Sequence, residues 1–468
     1  MKLFKMLAAV ALVQAATINA ADNLIPVSKE TKQQAAVLRD KAFKDNSAYE
    51  ILKSLTTEVG ARHPGTPGEK AGIKWGVNKL KELGFDKVYT EDVDMNGWVR
   101  ELETAEVLVP SYQKMIITAL GRSKSTPDGG LEADIAHFKS YADLEKAADG
   151  SLNGKIAFIS NRMERFKDGA GYGPANIARS KGHEIAAQKG ASALLIRSIG
   201  TDDHRNPHTG ATNVAIGYTQ VPAVALSNPD ADQLERLIGY GHTPKIRLNV
   251  QTKDLGKIIT KNVIGEITGS EFPDEVVVIG GHLDSWDLGT GAVDDGAGVA
   301  IGIATAAFIK NNLKTRPRRT IRVILWGAEE LGLIGARAYA KARSEDGTIA
   351  KHIIGSESDF GAGPVYGLRS SKNVSPNAIH VVDTMAGIMG KLGVSRRSGD
   401  TSGGPDMMPL SNLGVPALSL MQNGTDYFDL HHTPDDTFDK VKPEHMRQNL
   451  AVWTVFTYIA AQWPGSFK

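Results

Sequence analysis

The sequence predicts an α/β fold, a three-layer, mostly parallel sheet with helices on both faces and a smaller α/β domain inserted into it. Three observations lead there. From Asn262 onward, near-continuous apolar runs alternate with helical segments, the pattern of strands buried on both faces. Between about residues 121 and 250 the apolar runs are shorter, and loops rich in Gly, Asp and Asn separate them. The chain has 468 residues, more than one hydrophobic core usually supports, which favours two structural units.

Taken in order, Lys2 and Lys5 precede an apolar stretch at residues 6–13, and small residues follow at Ala20 and Ala21. That is the pattern of a secretory leader over residues 1–21, and it implies a secreted or periplasmic product. Residues 22–45 are polar and read as a peripheral arm or short pro-segment. Ile73, Val77 and Leu80 stand one above another at helical spacing, with Gly84 placed to cap the helix. A strand over residues 88–93 follows, so residues 22–120 open the main domain. The insert spans residues 121–250, and residues 251–468 complete the main domain. In that last part, strands are expected at residues 275–279, 321–326, from Ile353, and at 416–420. Helices are expected at residues 295–309, from Glu330 to about Arg343, and at 444–463, where Pro464 stops the chain.

Composition narrows the function. The net charge is +1, and loss of Lys2 and Lys5 with the leader takes it to −1. No basic patch or arginine-rich run points to nucleic acid. No segment after the leader approaches the ~18 uninterrupted apolar residues of a membrane span. Cysteine is absent, so any metal site must be built from His, Asp and Glu.

Five short segments supply such groups at predicted strand ends. They are Gly281-His282-Leu283-Asp284, Val293-Asp294-Asp295-Gly296, Ala328-Glu329-Glu330, Glu357-Ser358-Asp359 and the run from His431 to Thr437. Ligands in open α/β sheets gather at the carboxyl ends of the strands. Singly, each segment has an ordinary explanation. Asp294 or Asp295 suits a helix cap, and Glu329-Glu330 suits an acidic first turn. Five in one order along one sheet edge are hard to explain that way. A two-metal site also needs a carboxylate able to bridge, and these segments offer several.

The segments, with Leu325-Trp326-Gly327-Ala328 and Phe428-Asp429-Leu430, resemble the zinc exopeptidase family of bacterial leucyl aminopeptidases and plasma glutamate carboxypeptidase. Leu195-Ile196-Arg197-Ser198 and Pro207-His208-Thr209-Gly210 in the insert are similar to the carboxypeptidase branch. The resemblance implies the zinc exopeptidase fold with the insert as a cap, and a hydrolase acting on dipeptides or short peptides. It implies two zinc ions, one held by His282 and Asp359, the other by Glu330 and His432, with Asp294 as the bridge. His432 is preferred to His431, Asp294 to Asp295 and Asp359 to Glu357 by position in the family pattern. Asp284 takes the place of a carboxylate bonded to the His282 imidazole, and Glu329 that of the general base. Asp406 and His208 become candidate substrate contacts, with His204 a weaker one. A homodimer is compatible with the resemblance. The alternatives are an aminopeptidase with the same metals, a one-zinc glutaminyl cyclase on a similar fold, or a non-catalytic ectodomain. Intact bridge, ligands and base weigh against the last two.

Overall fold

The computed structural model describes residues 24–214 and 217–468, so the leader expected over residues 1–21 lies outside the described residues. The strands in chain order are β1 (Lys87–Val109), β2 (Gln113–Met115), β3 (Ile117–Ala119), β4 (Leu131–Phe138), β5 (Lys155–Ile159), β6 (Ala193–Arg197) and β7 (Ala223–Leu226). They continue with β8 (Lys245–Ile267), β9 (Phe272–His282), β10 (Arg319–Trp326), β11 (His352–Glu357), β12 (Val365–Ser370), β13 (Ser395–Arg396) and β14 (Leu418–Gln422). One 11-stranded sheet runs β11-β9-β10-β8-β4-β5-β6-β7-β3, with β1 paired along β8 and β2 along β1. Strands β11, β9 and β10 are mutually parallel, and so are β4, β5, β6 and β7. Strand β8 joins the two sets, since its end at Val263–Ile267 pairs with β10 and its start at Lys245–Leu248 pairs with β4.

Alternation of side chains explains why β9 and β10 read as unbroken apolar runs. Val277, Ile279, Val323 and Leu325 enter the core beneath helix Ala297–Asn312, while Val276, Val278, Ile324 and Trp326 pack with Tyr339 and Ala340 of helix Ile334–Glu345. Both faces are therefore dry. Helix Ala297–Asn312 is apolar on nearly every side because it lies between the sheet and the helices Ser47–Glu58 and Pro443–Gln462. Its Val299, Ile301 and Ile303 are fully buried. Each contributes about 1.5–3 kcal/mol by leaving water, and truncating Ile303 to Ala would cost about 2–5 kcal/mol. Residues 121–250, the expected insert, repeat this layering, with helix Tyr172–Gln188 on one face and Asn228–Gly239 on the other.

Several expectations are corrected. Residues 22–45 are no peripheral arm over their described part: helix Lys29–Ala42 buries Ala35, Leu38 and Ala42 against the C-terminal helix. The strand expected at 416–420 lies at Leu418–Gln422 in a separate three-stranded sheet, β13-β12-β14, which is linked to the main sheet by a Gly355–Ala417 bridge. The helix expected from Glu330 starts at Ile334, which leaves Glu329 and Glu330 in a turn.

Candidate metal centre

Register brings the chemistry to one edge. Trp326 pairs with His282 and Glu357 pairs with Gly280, so the carboxyl ends of β9, β10 and β11 are nearly level. His282 is the last residue of β9, Glu329 and Glu330 form the turn after β10, and Asp359 follows β11 by two residues. Asp294 arrives on the segment Ala292–Gly296 ahead of the buried helix, and His432 on the loop after β14. Gly281 makes this approach feasible, because a Cβ there would collide with the Asp295 carboxylate and the backbone of Gly298.

Asp294 sits at the middle. Its Oδ1 lies 3.1 Å from Nε2 of His282, and its Oδ2 lies 3.2 Å from Nε2 of His432. Asp359 Oδ1 is 3.6 Å from the His282 nitrogen, and Glu330 Oε2 is 3.1 Å from the His432 nitrogen. Two donor sets thus share one carboxylate. Asp294 Oδ2 and Glu330 Oε1 are buried without a hydrogen-bond donor, which is costly unless a cation meets them. Burial opposes charge on His282 and His432, but the carboxylates outweigh it. Asp294 and Asp359 hold His282 well above its ordinary range, and Glu330 and Asp294 lift His432 to about 9. Burial and the Asp294 charge push Glu330 up to about 6, and burial with the charges of Asp359 and Glu330 drives Glu329 well above the carboxylate range. This concentration of negative charge around two imidazoles fits divalent cations of borderline hardness, zinc among them.

Surrounding groups aim the donors. His282 Nδ1 lies 2.9 Å from the backbone carbonyl of Asp284. A carbonyl only accepts, so Nδ1 carries a proton, and Nε2 is the nitrogen turned to Asp294 and available to a metal ion. The Asp284 carboxylate, expected on that imidazole, stands 3.7 Å from Nδ1 and serves elsewhere. Its Oδ1 accepts from the N–H of Glu329 (3.0 Å) and its Oδ2 from the N–H of Glu330 (3.2 Å). These two bonds hold the acidic pair in a turn and explain the late start of the helix. His432, at φ 63°, is fixed by Thr209 of the insert, whose carbonyl accepts from Nδ1 at 3.1 Å and whose N–H bonds the His432 carbonyl.

The structure also supplies residues that sequence reasoning passed over. Asp436 accepts from the backbone N–H groups of Ala292, Val293 and Asp294 and so holds the central carboxylate in place. It lies within the run from His431 to Thr437, a signal already visible in the chain. Arg62, fully buried, donates to the carbonyls of Leu283, Thr290 and Gly291 and ties together the two ends of the loop that leads from His282 to Asp294. His431, the rival set aside for His432, stacks on it with ring centroids 3.5 Å apart, and its Nε2 is 3.6 Å from Asp294 Oδ2.

Two expected substrate contacts are corrected. His208 has no free ring nitrogen: Nε2 bonds Asp202 Oδ1 and Nδ1 bonds the His431 carbonyl, each at 2.6 Å. It fastens the insert to the His431–His432 loop instead. Asp406 is wholly buried, and its backbone N–H donates to Glu357 Oε2 at 2.6 Å. It stands behind Glu357 and outside the cavity wall, where burial and the Glu357 charge drive it well above the carboxylate range. His204, the weaker candidate, is exposed on the insert. Asp295, the rival to Asp294, turns its carboxylate to the N–H groups of His282 and Gly298.

A cavity of about 330 Å³ opens onto Asp294, Glu329, Glu330, Asp359 and His432. Residues 262–457 match Peptidase family M28. Mouse carboxypeptidase Q is 33% identical over 416 residues, which cover 89% of this chain and 86% of that protein. The crystal structure of a peptidase M28 precursor from Shewanella amazonensis SB2B superposes with a TM-score of 0.90 at 45% identity, covering 94% of this chain and 98% of that one. BSAP, a zinc aminopeptidase from Bacillus subtilis, shares the fold at a TM-score of 0.65 and 20% identity, over 89% of this chain and 94% of that one. With these relatives and this site, the chain belongs to peptidase family M28.

Proposed function

We propose that the chain is a secreted two-zinc exopeptidase that hydrolyses dipeptides or short peptides, in the manner of a carboxypeptidase Q. One observation carries most of the weight. The two oxygens of Asp294 face two separate donor sets, His282 with Asp359 and His432 with Glu330. Zinc held there supplies Lewis acidity towards water and a peptide carbonyl.

The rest falls to the chain's own residues. Glu329 lines the cavity beside the ligand Glu330 but makes no bond to either imidazole; cations on the neighbouring donor sets would offset the burial and the carboxylate charges that raise it, leaving its carboxylate ionised and free to take a proton from the attacking water. The same carboxylate then delivers that proton to the departing amine. Asp284 holds the Glu329 backbone and thereby sets where the base stands. No covalent intermediate is required, and the chain has no cysteine to form one.

Residues 121–250 act in this proposal as a cap. Tyr172 and Arg179 of its helix line the same cavity as the carboxylates, which suits short substrates and excludes folded ones. An aminopeptidase with the same metals is the second reading, supported by the fold shared with BSAP. Zinc analysis on the purified protein, combined with a screen of unblocked dipeptides, octapeptides and casein, tests the proposal. About two zinc ions per chain and much faster cleavage of dipeptides are expected. One ion with full activity, or casein cut at internal bonds as fast as dipeptides, would defeat it.

A further inference from the structure

His432 holds a backbone conformation that its own chain does not favour. Its φ is 63°, in the left-handed region, where a residue with a Cβ stays only if its surroundings hold it. Both peptide planes beside its Cα are held, and both by residues of the insert. His208 Nδ1 lies 2.6 Å from the His431 carbonyl and fixes the plane on one side. The N–H of Thr209 donates to the His432 carbonyl at 3.1 Å and fixes the plane on the other. The Thr209 carbonyl also accepts from His432 Nδ1, so two adjacent residues set both the backbone and the ring of one proposed zinc ligand.

Behind His208 stands Asp202. Its Oδ1 lies 2.6 Å from Nε2, and both side chains are closed to water. A carbonyl and an ionised carboxylate both accept, so the ring donates from both nitrogens and Asp202 balances the second proton. The carboxylate is itself fixed, by the Asn228 amide at 3.0 Å and the His204 N–H at 3.1 Å. The ring has no slack, because it lies against Gly200, where a Cβ would collide with Nε2. Such a pair is costly to bury, and what it does here is to meet the His431 carbonyl.

We propose that Asp202 and His208 are positioning residues for His432 and set the affinity of the second zinc, the one held by His432 and Glu330. The inference rests on the two-zinc reading above and extends it: the insert belongs to the metal centre and is more than a cap. The other donor set takes its support from the main domain, through the Asp284 carbonyl on His282. The two ions should therefore differ in their dependence on the insert.

The test titrates zinc-loaded wild type, His208→Asn, His208→Leu and Asp202→Ala with chelator and follows zinc per chain. In His208→Asn the amide nitrogen stands as many bonds from the backbone as Nδ1 and still donates to the His431 carbonyl; in His208→Leu nothing does. The second ion should bind about 10- to 100-fold more weakly in His208→Leu, the usual effect of losing a supporting partner in a metal site. Asp202→Ala should shift it the same way, and His208→Asn should shift it least. The first ion should keep its wild-type affinity throughout. Dipeptide turnover by His208→Leu should return towards wild type as zinc is added, with KM unchanged, since no substrate contact is lost. Wild-type affinity for the second ion in His208→Leu overturns the inference, and so does equal weakening of both ions, which marks a general loosening of the fold. Should His208→Leu fail to fold, as judged by the melting curve of the metal-free protein, Asp202→Ala and His208→Asn carry the same comparison. If wild type binds a single ion, the two-zinc reading fails before any variant is made.

Discussion

The carboxylate of Asp284 accepts a hydrogen bond from the backbone N–H of Glu329 at 3.0 Å, so an acid from the end of one strand positions the proposed base at the end of its neighbour. Its other oxygen does the same for Glu330. In Asp284→Asn one acceptor becomes a donor facing an N–H. Turnover should fall about 10- to 100-fold, the usual effect of a lost supporting partner in a metal site. Kinetics together with zinc content check this. Wild-type kcat in the Asn variant would show that Asp284 does not position the base.

Adjacent glutamates should separate cleanly. Glu329→Gln removes proton transfer and should lower kcat about 10²–10⁴-fold while zinc content holds. Glu330→Gln removes the oxygen 3.1 Å from His432 and should lose metal at lower chelator concentration than wild type. The opposite pattern would exchange the two roles.

Asp294→Ala should weaken metal binding at both positions, because each donor set loses one oxygen of the shared carboxylate. Chelation of the wild type should lower the melting temperature, since bound ions stabilise the folded state by mass action, by about 4 kcal/mol at a thousandfold excess over Kd. Metal analysis of the variant and a melting curve with chelator provide the readouts. Loss of a single ion from Asp294→Ala, with the second retained at wild-type affinity, contradicts a bridge.

Far from the site, His352 is buried between Tyr339 and the Thr348 carbonyl, and the Tyr339 hydroxyl stands 2.8 Å from its Nε2. Burial, aided by the Arg322 charge, lowers its pKa from 6.5 to about 3. The folded protein therefore holds it neutral over a range in which the unfolded chain takes up a proton. Its contribution to stability is complete above pH 6.5 and is lost as the pH falls towards 3. Between pH 7 and pH 5 wild type should lose roughly 2 kcal/mol relative to His352→Gln. Denaturant midpoints of both proteins at the two pH values measure this. A constant difference would mean that His352 titrates normally in the folded state.

Much of the fold and of the site could be read along the chain, because both follow local rules. Strands β9 and β10 are dry on both faces, so residues 276–279 and 323–326 had to be apolar without a break. Candidate ligands at strand ends appear at the close of those runs, which is why His282, Glu330 and Asp359 stood out as candidates before the family resemblance chose among them. What escaped depends on partners distant in sequence. Arg62 meets carbonyls more than two hundred residues away, and Thr209 meets His432 across a similar separation. Neither residue carries a local mark of its task. His208 looked like a free imidazole until folding placed Asp202 on one nitrogen and the His431 carbonyl on the other. Residue types and their order, together with the family resemblance, were enough to name candidate metal donors. Which oxygen faces which nitrogen is decided only when distant segments close on each other, because hydrogen bonds and ion pairs depend on distance in space and not on distance along the chain.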